Sequence, residues 1–321
     1  MKHSHFDKHI SFFSLIIGIA VFLFLSPEMI HAYAATDGTA TNDEYINVSQ
    51  YGVSGTDKAS DEQALQRVMD LAKTNQGATL KVYIPSGTYY FEHGVKVYSN
   101  TEIKMDPDTI LIQRDGVELG IFRCRSVEES ELTKLAGTYE KTKNVTIIGG
   151  VFKGNLVKTK ACGFIYFDHC SNMVLKDCTF MDPYSRHAVT FDGVDGLNAT
   201  GLKFINCIRN DKIGDETNRT SEAFHIDHVS TDGVSAEGST PDNDGLASKN
   251  VCIENCSFDG VNSGVGCHYV TGTSQGSNFT VRNCSFKNVK FVPIDVASYD
   301  NINITGNICR CIIINDVFTT F

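Results

Sequence analysis

Asn250-Val-Cys-Ile-Glu-Asn-Cys-Ser-Phe258 and Asn278-Phe-Thr-Val-Arg-Asn-Cys-Ser-Phe286 are two copies of one nine-residue pattern. Four further copies follow the same plan: Asn144-Val-Thr-Ile-Ile-Gly-Gly-Val-Phe152, Asn172-Met-Val-Leu-Lys-Asp-Cys-Thr-Phe180, Gly196-Leu-Asn-Ala-Thr-Gly-Leu-Lys-Phe204 and Asn301-Ile-Asn-Ile-Thr-Gly-Asn-Ile-Cys309. The phenylalanine positions are separated by 28, 24, 54 and 28 residues. A fixed period of this size is the mark of a solenoid, here with one enlarged rung. Apolar residues alternate within each copy (Val145 and Ile147, Met173 and Leu175, Val251 and Ile253, Phe279 and Val281), which is the period of a strand with one face inside. Cys178, Cys256 and Cys284 share the next inward column, ahead of the phenylalanines. These cysteines read as small core residues with free thiols, although Cys256 and Cys284 would sit on neighbouring rungs about 4.8 Å apart, within bridging reach. The asparagine that opens the pattern suits a turn and can hydrogen-bond its equivalents above and below.

A second strand precedes each copy. Gly163-Phe-Ile-Tyr-Phe-Asp168, His187-Ala-Val-Thr-Phe-Asp192, Glu222-Ala-Phe-His-Ile-Asp227, Ser263-Gly-Val-Gly-Cys-His268 and Val292-Pro-Ile-Asp-Val-Ala297 align without gaps. Ile165, Val189, Phe224, Val265 and Ile294 form one inward column, and Phe167, Phe191, Ile226, Cys267 and Val296 the next. The outward columns are then Tyr166, Thr190, His225, Gly266, Asp295 and Asp168, Asp192, Asp227, His268, Ala297, a polar stripe on one face.

Upstream, Asp61 to Ala72 carries apolar residues at helical spacing (Ala64, Leu65, Val68, Leu71, Ala72) behind an acidic start, which predicts an amphipathic helix placed to cover the first rung. Val82 to Phe91 reads as strand, turn, strand. Residues 1–34 read as an export signal: Lys2 and Lys8 precede a 16-residue apolar run, Ile10 to Leu25, and Ala32-Tyr33-Ala34 supplies a small-x-small cleavage pattern. The run is short for a membrane span, so no stable membrane insertion is expected after its removal. Residues 35–44 read as a linker and 45–321 as the solenoid domain; the protein is expected outside the cell, secreted or held at its surface. Downstream, Ile312 to Phe321 shows no polar cap, which predicts an uncovered last rung and a truncated, altered or partnered end.

Composition agrees with the repeat. The 27 glycines and 20 phenylalanines of this 321-residue chain favour short strands and tight turns over helical layers. Eleven cysteines are an odd number, and they fall in the ladder rather than in a compact disulfide module. A formal charge of -10 argues against nucleic acid as a partner.

Asn47-Val-Ser-Gln-Tyr-Gly-Val53, the helix after it and Ile84-Pro-Ser-Gly-Thr-Tyr89 resemble the opening of the pectate-lyase-like superfamily, which includes polygalacturonases, rhamnogalacturonases, lyases and mannuronan epimerases. The resemblance covers residues 45 to 310 and implies an all-β, single-stranded right-handed parallel β-helix with an N-terminal capping helix. It also implies a polysaccharide substrate and carries the fold more firmly than the reaction. The polygalacturonase motifs Asn-Thr-Asp, paired Asp, Gly-His-Gly and Arg-Ile-Lys are not reproduced, and Asp182-Pro183-Tyr184 matches the epimerase Asp-Pro-His only in part.

Chemistry on a glycan needs one group to give or take a proton and another to meet charge at the sugar ring. Asp192, Asp227 and His268 stand in one outward column about 4.8 Å apart per rung, with His225 one position away, and these four are the candidate catalytic residues. His187, Glu222, Asp295, Tyr184 and Arg186 are candidate substrate-binding residues; Lys212 lies in a long insertion, residues 208–221, that with 229–249 flanks the stripe. For any one of these alone, ordinary solvated surface is the competing and less favoured reading, and their clustering weakens it further. No zinc or phosphate-loop spacing occurs; no cofactor is required, while calcium on Asp192, Asp227 or Asp295 is allowed. The leading expectation is a glycoside hydrolase using Asp192 and Asp227. The alternatives are a lyase or C5-epimerase with His225 or His268 as base, and a non-catalytic glycan-binding adhesin.

Overall fold

Alternation puts every second side chain of a short strand on the same side, so stacking equivalent strands in register buries one continuous column of each kind. The computed structural model describes residues 44–74, 77–114, 120–125, 131, 134–154, 163–183, 187–208, 222–229, 244–267 and 275–310, and among them every strand pair is parallel. The strands form one sheet of fourteen and one of eight. A rung runs along Ile165–Lys176, turns, and continues as Thr179–Met181; the next follows as Val189–Thr200 and Lys203–Ile205. The result is a parallel β-helix, right-handed as parallel crossovers are.

The register agrees with the columns read from the sequence. Ile165 pairs with Val189, Val189 with Phe224, Phe224 with Val265 and Val265 with Ile294. Across the enlarged rung Phe204 pairs with Phe258. The phenylalanine column stacks ring on ring, with centroids 5.0 Å apart for Phe152–Phe180, 5.1 Å for Phe180–Phe204, 4.7 Å for Phe204–Phe258 and 4.8 Å for Phe258–Phe286. Cys178, Cys256 and Cys284 are buried free thiols. Each donates its S–H to the carbonyl two residues earlier, on Lys176, Glu254 and Arg282, which satisfies the one polar group they bring inside.

The asparagine column explains itself at the backbone. Asn144, Asn172, Asn250, Asn278 and Asn301 have φ between 53° and 60°, the left-handed region that asparagine tolerates better than other side chains. Their amides then form a ladder, Asn144 to Asn100, Asn172 to Asn144, Asn278 to Asn250 and Asn301 to Asn278, at 2.7–3.1 Å. Where Gly196 interrupts the column, Asn250 donates to Asp195 instead.

The expected capping helix is Glu62–Met69, continued by a 3-10 turn over Asp70–Lys73. It buries Ala64, Leu65, Val68 and Met69 and meets the open backbone of the first strands with polar side chains. The Gln66 amide accepts from Lys96 N–H at 2.8 Å and donates to Lys96 C=O at 3.2 Å, as a neighbouring strand would. Asp61 accepts from the Ser54 and Tyr90 N–H groups. At the other end Tyr299–Thr305 and Ile308–Arg310 form the last described rung, with Ile302, Ile304 and Ile308 exposed. The export signal, most of the linker and Ile312 to Phe321 lie outside the described residues. No helix among the described residues is long and apolar enough to cross a membrane.

Candidate active site

The strands Val189–Thr200, Glu222–Asp227, Ser263–Cys267 and Ile294–Val296 carry the polar stripe. Asp168 pairs with Asp192 and Asp192 with Asp227, while Thr190, His225, Gly266 and Asp295 follow one another in the adjoining column. The order is as expected, but the surroundings are not. Glu222 is completely buried, and His225 and Asp227 are 6% and 4% exposed, so the stripe is not a solvated surface. Pointing away from the solenoid interior is not the same as pointing into water, because other parts of the chain pack on the outside. Asp244 to Ser248 does so at the turn after Asp227, where Val229 N–H bonds Leu246 C=O at 2.9 Å. The Ser248 hydroxyl joins Asp227 C=O to the Val194 N–H.

His225 is the centre of the group. Its Nε2 lies 3.4 Å from Asp227 Oδ2 and 4.0 Å from Asp192 Oδ1, and its Nδ1 lies 3.5 Å from Glu222 Oε2. His187 stacks on it, ring centroids 3.9 Å apart and planes within 11° of parallel, and donates from Nδ1 to Glu222 C=O at 2.7 Å. Asp227 is fixed on its other side: Oδ1 accepts from the Cys267 thiol at 3.0 Å and the His228 N–H at 2.9 Å. At the more open edge are the side chains of Asp192, 23% exposed, and His187, 21% exposed. Asp295 is half-buried beside Gly266. His268, Tyr184, Arg186 and Lys212 lie outside the described residues.

The charges follow from this packing. Burial pushes Asp192 up to about 7, with the Asp227 and Asp168 carboxylates adding to it and the His225 charge opposing it. For His225 burial pulls the other way, yet the close contact of its Nδ1 with the Glu222 carboxylate and the charges of Asp227, Asp192 and Glu222 win and raise it to about 9. At neutral pH His225 is therefore an imidazolium among carboxylates, and Asp192 holds a proton much of the time.

A neighbouring charged network escaped the sequence. Lys141 Nζ pairs with Asp168 Oδ1 at 2.7 Å, His169 Nδ1 lies 3.4 Å from the same oxygen, and His169 Nε2 meets Asp244 Oδ2 at 3.0 Å. Lys141, Asp168 and His169 are all buried. Burial opposes the charge on each; the partners prevail, lowering Asp168 and raising Lys141 and His169, the latter to about 9. The only hint in the sequence is that His169 follows Asp168; nothing in its spacing ties either to Asp244. His228 has an ordinary structural role: Nδ1 accepts from Ser248 N–H, Nε2 donates to Ser298 C=O, and burial holds it below its usual value.

His187, Glu222 and His225 bring three metal-ligating atoms within 4.8 Å of one another. Their arrangement does not form a ready coordination site. With the two rings nearly parallel and 3.9 Å apart, an ion in the plane of one imidazole stands far out of the plane of the other. Ligation would require one ring to turn.

Residues 45–187 match the family model described as rhamnogalacturonase A/epimerase, pectate lyase-like. The plasmin and fibronectin-binding protein A of Streptococcus pneumoniae is 23% identical over 285 residues, 83% of this chain and 39% of that protein. The crystal structure of PfbA, a surface adhesin of Streptococcus pneumoniae, has a TM-score of 0.66 at 21% identity over 82% of this chain and 61% of that chain. An iota-carrageenase of Alteromonas macleodii is 37% identical over 68 residues, 21% of this chain and 13% of that enzyme. The chain thus spans well under half the length of the curated relatives it matches.

Proposed function

Starting from a pectate-lyase-like right-handed β-helix whose residues 45–187 match a rhamnogalacturonase- and epimerase-type model, we propose that the protein is an exported polysaccharide-active enzyme of the glycoside-hydrolase type. The observation that carries this reading is a pair of carboxyl groups in register on adjacent rungs and in different settings, Asp192 pushed up to about 7 and Asp227 accepting from the Cys267 thiol and the His228 N–H. Asp192 keeps its proton long enough to give it to a departing glycosidic oxygen. Asp227 presents Oδ2 to a water or to positive charge at the sugar ring, and the His225 imidazolium between them steadies both. With Asp192, Asp227 and Glu222 gathered around one imidazolium, a neutral or lightly charged glycan meets less repulsion at this point than a polyuronate.

A lyase or epimerase reading needs an unprotonated base for the C5 proton; His225, raised to about 9, is protonated at neutral pH, which leaves His268, outside the described residues, as the candidate base for that reading. A second reading, a glycan-binding or adhesin β-helix, draws on the likeness to the pneumococcal surface protein across 83% of the chain. Incubation with plant, algal and bacterial polysaccharides distinguishes them. New reducing ends without ultraviolet absorbance support the hydrolase; both signals together mean a lyase. If neither appears and no C5 proton exchanges, while a glycan is retained, the adhesin reading replaces the enzyme.

A further inference from the structure

Glu222 cannot touch a glycan, because no part of it reaches the surface. It nevertheless sits against both histidines: Oε2 is 3.5 Å from His187 Nδ1 and 3.5 Å from His225 Nδ1, and its own carbonyl accepts from His187. Space for it comes from Gly266, the strand neighbour of His225. A Cβ on Gly266 would lie 2.6 Å from Glu222 Cγ and 3.2 Å from Glu222 Oε1, closer than side chains pack, and 2.8 Å from Asp295 C=O. This glycine is not set at a positive φ, so its lack of a side chain makes room for the Glu222 side chain and the Asp295 carbonyl rather than for a turn.

We propose that Glu222 is a positioning residue, seated over Gly266, that holds the stacked His187–His225 pair so that His225 Nε2 faces Asp227 and Asp192. The proposal rests on the site described above and assigns Glu222 a role other than substrate contact. One residue fixes both rings, His187 through its carbonyl and His225 through its carboxylate. The charged and titratable groups placed against His225 among the described residues are Glu222 on the Nδ1 side, His187 over the ring face, and Asp227 and Asp192 on the Nε2 side. Glu222 is the one of these carboxylates with no exposure at all, so its interaction with the ring is the least screened.

The test is histidine-selective NMR titration of the intact protein, which needs no substrate and so remains informative if no glycan is ever cleaved. In the unaltered protein the His225 ring is expected to stay protonated well above neutral pH. Glu222→Gln is expected to lower its proton affinity about tenfold or more, and Gly266→Ala to act in the same direction by displacing the carboxylate. Glu222→Asp should recover part of the loss. Where hydrolysis is measurable, Glu222→Gln should shift the pH profile and lower kcat more than it raises KM. A His225 that titrates at the ordinary histidine value in the unaltered protein overturns the proposal even if the variants fail to fold. So does a folded Glu222→Gln protein with an unchanged His225 titration.

Discussion

Phe204 and Phe258 stack with ring centroids 4.7 Å apart and planes 1° from parallel, although they are separated by the longest gap in the repeat. The enlarged rung therefore closes on the same core as its neighbours. Phe258 also stacks on Phe286 at 4.8 Å, so Phe258→Ala removes a ring from the middle of the column. The expected loss is about 3–5 kcal/mol of unfolding free energy, read from urea denaturation. A loss below about 1 kcal/mol would mean that the column does not carry the stability of this region.

Asp192→Asn is expected to separate activity from stability. A carboxyl raised from 3.8 to about 7 binds its proton more tightly in the native state than in the unfolded chain, so native stability falls as pH rises through that window. The amide relieves this. At pH 8 the variant should be more stable than the unaltered protein by on the order of 2 kcal/mol, and near pH 4 the two should be alike. Hydrolysis, if present, should drop by about 100-fold or more, and in the unaltered enzyme it should fade as pH rises through about 7 as the acid is lost. Thermal melts and initial rates across pH 4–9 check both halves.

His225 gives a pH dependence of the same sign in a higher window, here because its charged form is favoured in the fold rather than disfavoured. Raised from 6.5 to about 9, it contributes stability that is fully present below 6.5 and lost as pH rises through about 9. His225→Gln should remove that dependence, flattening the alkaline limb of a stability-versus-pH curve. A limb of unchanged slope would assign it to another group, with His169, also raised to about 9, the first to examine.

Lys141→Met leaves the Asp168 carboxylate buried without its closest cation, at an expected cost of about 3–5 kcal/mol. Combining it with Asp168→Leu should recover much of the loss, since an apolar pair of similar size avoids the stranded charge. Equal destabilisation by the single and double changes would show that packing, not charge, holds this corner.

The asparagine ladder divides into two parts that can be measured separately. Asn278 has φ 60° and bonds Asn250 and Asn301. Asn278→Gly keeps the backbone and loses the amide; Asn278→Ala loses the amide and strains the backbone. The alanine variant should be less stable than the glycine variant by about 1 kcal/mol.

The sequence by itself determined the solenoid, its register and its inside. In a β-helix each rung meets the next in register, so the pairing of Ile165 with Val189 and of Val189 with Phe224 is visible as simple alignment, and period-two alternation tells inward from outward. It also brought Asp192, Asp227 and His225 together. Tertiary structure alone decided how those groups are charged and what surrounds them. The Gly266 space beside the buried Glu222 and the stack of His187 on His225 depend on how side chains of neighbouring rungs pack, and the link from His169 to Asp244 on a segment outside the rungs; no alternation records them. Proton affinity follows desolvation and neighbouring charge, and both are properties of the folded surroundings rather than of the repeat.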